Sequence, residues 1–144
     1  MIGLLAGIIL TLPAPAGSAQ LATTPGELGE TIFLAGACGE FGWKAELAHE
    51  PAMFKAFEAA HPEMTAADIT AGAFAGAGAL QTRLDAELAA VRTTVDMDAW
   101  AGAMATRCDA IAVAFPAMLS RTPETPTIWA EVKARFAKLY VPAG

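Results

Sequence analysis

Positive charge is missing from the first part of this chain: no Lys precedes Lys44 and no Arg precedes Arg83. A substrate rich in carboxylates therefore meets no basic clamp on the first helical segment. Cysteine is equally scarce, Cys38 and Cys108 being the only two. Neither a Cys-x-x-Cys redox pair nor the Cys-x-x-Cys-His attachment of a c-type haem can be built from them. Serine occurs only at Ser18 and Ser120, and no Gly-x-Ser-x-Gly is present, which excludes the nucleophile elbow of a serine hydrolase. The longest apolar run, Ile2 to Leu12, falls short of the roughly 20 residues that cross a bilayer as a helix. No repeat at a fixed period and no low-complexity linker divides the chain.

What the N-terminus does carry is an address. Residues 1–19 hold no charged side chain, and the apolar run is followed by Pro13, Pro15 and the small residues Ala16, Gly17, Ser18 and Ala19. This is the layout of a secretory signal peptide, with Gly17 and Ala19 at the −3 and −1 positions and Gln20 as the new terminus. The Lys or Arg usual at its start is lacking, which leaves the translation start open. Leu34-Ala35-Gly36-Ala37-Cys38 looks like a lipobox, but its Leu stands one position too far from the cysteine. The expected organisation is a signal peptide, residues 1–19, followed by one helical domain, residues 20–144, in the periplasm or secreted. In an oxidising compartment the two cysteines are expected to pair. A bridge enclosing about 70 residues is worth about 4 kcal/mol on the chain-entropy argument.

The chain has a formal net charge of −6. Residues 27–98 hold twelve acids against four bases, whereas from Arg121 onward four bases face two acids. Such a body repels nucleic acid and anionic lipid. The basic end is expected to complement the dipole of a last helix.

Alanine-rich segments with apolar residues three and four apart predict an all-α single-domain bundle of four main helices plus one short helix, tied by one disulfide. Thr24-Pro25-Gly26-Glu27 reads as a capping box that opens a first helix, running to Cys38 with Gly39 as a left-handed stop. A short helix starts at Glu50-Pro51, turns Met53, Phe54 and Phe57 inward, and ends at His61-Pro62. Thr65-Ala66-Ala67-Asp68 opens a long helix to about Thr93, with the stripe Ile69, Ala73, Ala77, Leu80, Leu84, Leu88 and Val91. The next helix, Met97 to Leu119, carries Trp100, Met104, Cys108, Ile111, Phe115 and Met118 on one face, with Pro116 expected to kink or end it. A final helix after Thr125-Pro126 turns Ile128, Trp129, Val132, Phe136 and Leu139 to one side. Gly72 and Gly76 cost about 1 kcal/mol each against Ala in a helix interior. They are expected to serve a close intramolecular crossing, with a homodimer face as the other use.

Two candidate sites follow. His49, Met53, His61 and Met64 form the one cluster with ligand character, since imidazole and thioether suit copper, and a soft-metal binding protein is the alternative function. Phe41 and Trp43, in the glycine-rich turn after Cys38, are candidate anchors for a partner, or else fold back over the end of the bundle. Arg107 beside Cys108 would favour a reactive thiolate, but Asp109 opposes it and the stripe places Cys108 inside. No catalytic residue and no cofactor motif is identified. The first expectation is a non-enzymatic exported protein that binds another protein or a cell-envelope component.

Overall fold

A computed structural model describes residues 22–143; the signal peptide expected at residues 1–19 lies outside them. The described chain forms five α-helices: α1 (Pro25–Glu40), α2 (Glu50–Ala60), α3 (Ala66–Ala89), α4 (Thr94–Ala114) and α5 (Thr125–Tyr140). A 3₁₀ turn, Leu47–His49, leads into α2. The all-α single domain with one short helix is as expected, and none of its helices is long and apolar enough to cross a membrane.

The starts of α1, α3 and α4 follow side-chain caps. The Thr24 hydroxyl accepts the Glu27 N–H, but the Glu27 carboxylate reaches back to the N–H and hydroxyl of Thr23 rather than to Thr24. Those bonds hold the Glu27 carboxyl below its ordinary pKa. Thr65 accepts the Asp68 N–H at the start of α3. A third cap was not expected. Thr93 and Asp96 make a full capping box, and the Asp96 carboxylate also takes the Arg92 N–H, so its pKa is lowered chiefly by the Arg92 and Thr93 backbone donors. Arg92 in turn donates to the carbonyls of Ala89 at 2.6 Å and Val91 at 2.9 Å. One four-residue connection thus satisfies both helix ends. It also explains why α3 stops at Ala89 rather than Thr93 and why α4 starts before Met97.

Two further boundaries differ from the sequence expectation. Gly39 is helical, and the left-handed residue is Gly42, with φ 110°. Phe41 and Trp43 both donate their N–H groups to the Cys38 carbonyl, which closes α1 without a glycine stop at 39. At the other end of the fold α4 stops at Ala114, because Pro116 bars Phe115 from helical dihedrals; Phe115 has φ −132° and ψ 66°. The chain beyond turns back, and Leu119–Ser120 pairs antiparallel with Lys44–Ala45, register Lys44↔Ser120 and Ala45↔Leu119. We number these two-residue strands β2 and β1.

α1 and α3 cross with almost no side chain between them. A Cβ on Gly29 would collide with the Ala73 backbone, and one on Gly76 with the Gly26 backbone. Gly72 is closed off by Pro25. The Gly72/Gly76 face is therefore taken by α1 within the same chain.

Around this crossing lie two apolar clusters. One joins Leu28, Ala35, Cys38, Met53, Phe57, Ile69, Cys108 and Ile111. The other joins Leu80, Leu84, Leu88, Met97, Trp100 and Met104. Leu34, Phe41 and Trp129 pack against both. The Cys38–Cys108 disulfide lies fully buried in the first, with Cα atoms 5.7 Å apart. The α3 and α4 stripes are inside as expected except for the half-buried Ala77 and Phe115; of the α5 stripe only Val132 is buried, Trp129 and Phe136 are half-buried, Ile128 is at the surface beside Gly42 and Leu139 is 70 % exposed.

The crossing and an open position on α4 give opposite expectations for the same substitution. Gly29→Ala should lower unfolding free energy by about 1–3 kcal/mol, because overpacking at a backbone contact forces the helices apart. At Gly102 an added Cβ would meet nothing within 4 Å, and Gly102→Ala should gain about 0.5–1 kcal/mol. Urea unfolding of both variants beside the parent chain measures the two signs.

Candidate functional site

The four residues of the His/Met set are not brought together. His49 and His61 flank α2 at opposite ends, and twelve positions of helix at about 1.5 Å each separate them by about 18 Å along the axis. Met53 is buried on the inner face of α2. His61 stacks on Phe57 with ring centroids 4.3 Å apart and its Nδ1 lies 3.2 Å from Glu63 Oε1. Met64 packs partly buried against the first cluster. A metal bonded at about 2 Å cannot span this set. Among the described residues no group of three or more His, Cys, Asp or Glu side chains is placed to hold a metal ion.

Phe41 and Trp43 fold back over the bundle end. Trp43 is only 3 % exposed. Its indole Nε1 donates to Asp109 Oδ1 at 3.0 Å, and the same carboxylate receives Arg121 through Nε and Nη2. Arg121 also stands 5.6 Å above the Trp43 ring. Phe41 sits among Trp100, Trp129 and Phe136, with centroids 5.0–6.4 Å away. Neither residue presents an anchor to a partner. The cause is the left-handed Gly42, whose carbonyl accepts the buried Thr125 hydroxyl at 2.8 Å and so draws the turn down onto the start of α5.

The surface that is open lies on the opposite side of α1. A groove of about 220 Å³ runs between α1, α2 and α3. Gly29 and Ala73 form its floor where the helices cross, and Ile32, Phe33, Phe54 and Phe74 line it. Its single ionisable lining group is Glu50, half-buried in the first turn of α2, where a carboxylate complements the positive end of the helix dipole. Phe74 stands 76 % exposed at the groove, in mid-helix on α3. From Thr70 to Thr82 that helix carries no charged side chain.

A second groove, about 310 Å³, lies between Leu34, Leu80 and Ile111. Its rim arginines are already paired, Arg83 with Glu30 and Arg107 with Glu87. It offers no free charge and no exposed aromatic. The apolar groove beside Phe74 is the better candidate. No known family, curated protein or solved structure matches the chain, so the site is read from its own chemistry.

Sequence reasoning overlooked this groove because its walls come from three helices. Phe74 falls one position off the α3 core stripe at Ala73. Its placement between Ala73 and Ala75, on a charge-free stretch, was the signal that could have found it.

The Trp43–Asp109 bond makes a separate expectation. Asp109→Ala strands a buried indole N–H and should cost about 1–3 kcal/mol. Asp109→Asn keeps an acceptor and loses only the half-exposed ion pair with Arg121, about 1 kcal/mol or less. Denaturant unfolding followed by tryptophan fluorescence should rank parent, Asn and Ala in that order.

Proposed function

We propose that this chain is an exported, non-enzymatic helical protein that binds another protein or a cell-envelope component through the groove between α1, α2 and α3. The observation that carries the binding role is Phe74, a large aromatic held in water at the edge of an apolar groove. Full exposure of such a ring forgoes about 1.5–3 kcal/mol of burial, a loss that a partner would recover. Export rests on the charge-free leader and on the buried disulfide, which persists in the oxidising compartment that a signal peptide addresses.

Catalysis has no comparable support. The groove contains one carboxylate and neither a nucleophile nor a second acid or base within its lining.

Intact mass of the protein recovered from its native host tests export. A chain starting at Gln20 that gains about 2 Da on reduction is the expected result, and a full-length, already reduced chain would overturn it.

Binding is tested in the same cells by a photo-crosslinking side chain placed at position 74, with position 113 as control. Val113 is 72 % exposed on α4, away from the groove. A discrete adduct from 74 and none from 113 is expected. Equal labelling, or no adduct from either position, would remove the groove from the function.

A further inference from the structure

The groove's size and charge indicate what fits it, and this step rests on the binding role proposed above. Pockets that enclose a drug-sized ligand measure about 300–1,000 Å³. At about 220 Å³ and open to one side, this groove accommodates one or two apolar side chains rather than a whole small molecule. Side-chain-sized apolar notches between helices are what an amphipathic helix fills when it docks through anchors at i and i+3 or i+4.

Electrostatics then choose the sign of the partner. Glu50 is the only ionisable group in the lining, and among the described residues no base lies within ion-pair distance of it. A partner that covered Glu50 without a cation would bury a carboxylate whose charge is offset only in part, by the start of the α2 dipole. The whole chain, at −6, draws cations toward itself and repels both anionic lipid and a second copy of itself. Across a two-fold axis through this face, each Glu50 would meet another acidic body.

We infer that the groove binds a cationic amphipathic helix of another protein, its apolar anchors seated against Phe54 and Phe74 and a Lys or Arg paired with Glu50. The carboxylate sets specificity and the aromatic walls set affinity.

The test uses a dye-labelled synthetic helix of about 18 residues made of Leu and Lys in amphipathic order, with a Leu/Glu version of the same pattern as control. Binding to the disulfide-bonded mature chain is read by fluorescence anisotropy at about 0.15 M salt, where non-specific attraction between exposed charges is largely screened. The Leu/Lys helix should bind and the Leu/Glu helix should not. Phe74→Asp should weaken binding about tenfold or more, and Glu50→Gln by about three- to tenfold. Both positions lie outside the buried core, and unchanged thermal unfolding of each variant confirms that the loss is local.

Equal binding of the two helices, each weakened by Phe74→Asp, would overturn the cationic partner and leave the docking groove standing. Leu/Lys binding indifferent to Phe74→Asp would overturn the groove as its site. Failure of the Leu/Lys helix to bind at all would overturn this inference, while an adduct from position 74 in cells would still support the broader binding role.

Discussion

Two helices approach backbone to backbone where a Cβ is missing at the contact, and the contact of α1 with α3 is of this kind, Gly26 against Gly76 and Gly29 against Ala73. Other parts of the fold depend on it. It sets α1 against α3 with Gly29 and Ala73 at the contact, and these two residues with Ile32 and Phe33 line the apolar groove beside α2. A single methyl at Gly29 would push the helices apart and change the depth of that groove. The crossing therefore fixes both the packing of the first cluster and the shape of the candidate site.

The far end of α1 is held by different means. Cys38 bonds to Cys108 in mid-α4, and the turn that follows is gripped by Trp43 on Asp109, by Arg121 over the indole and by the Thr125 hydroxyl on the Gly42 carbonyl. Covalent and polar ties thus close the end where the bundle has no glycine crossing. The aromatic residues that looked available for partners in the sequence are consumed in this closure. What remains for a partner is the other side of α1, where Phe74 has no intramolecular role comparable to that of Phe41 or Trp43.

Much of the architecture was legible. The starts of α1 and α3 lay in their Thr caps, and the disulfide lay in two cysteines whose positions fell at a helix end and on a core stripe. The close crossing was legible in Gly72 and Gly76, since glycine in a helix interior needs a packing reason. Helix ends were less so. Val91 and Met118 continue the apolar periods of α3 and α4 after both helices have stopped, because burial depends on where a side chain points and not on whether its backbone is helical. The two-residue strands β1 and β2 are too short to leave any alternation to read. The members of the His/Met set lie apart for a geometric reason: nearness in sequence across a helix means separation by its full length.

By itself the sequence determined the helical class, the Thr24 and Thr65 caps, the staple and the sign of the overall charge, because each depends on local periodicity, short-range hydrogen bonding or simple counting. Only the tertiary structure decided that Trp43 is buried and Phe74 is not, and that Glu50 stands in an apolar groove. Those facts are set by which elements face each other: the α1–α3 backbone contact at Gly26 and Gly76 places the groove, while the left-handed Gly42, held by Thr125, turns Trp43 onto Asp109.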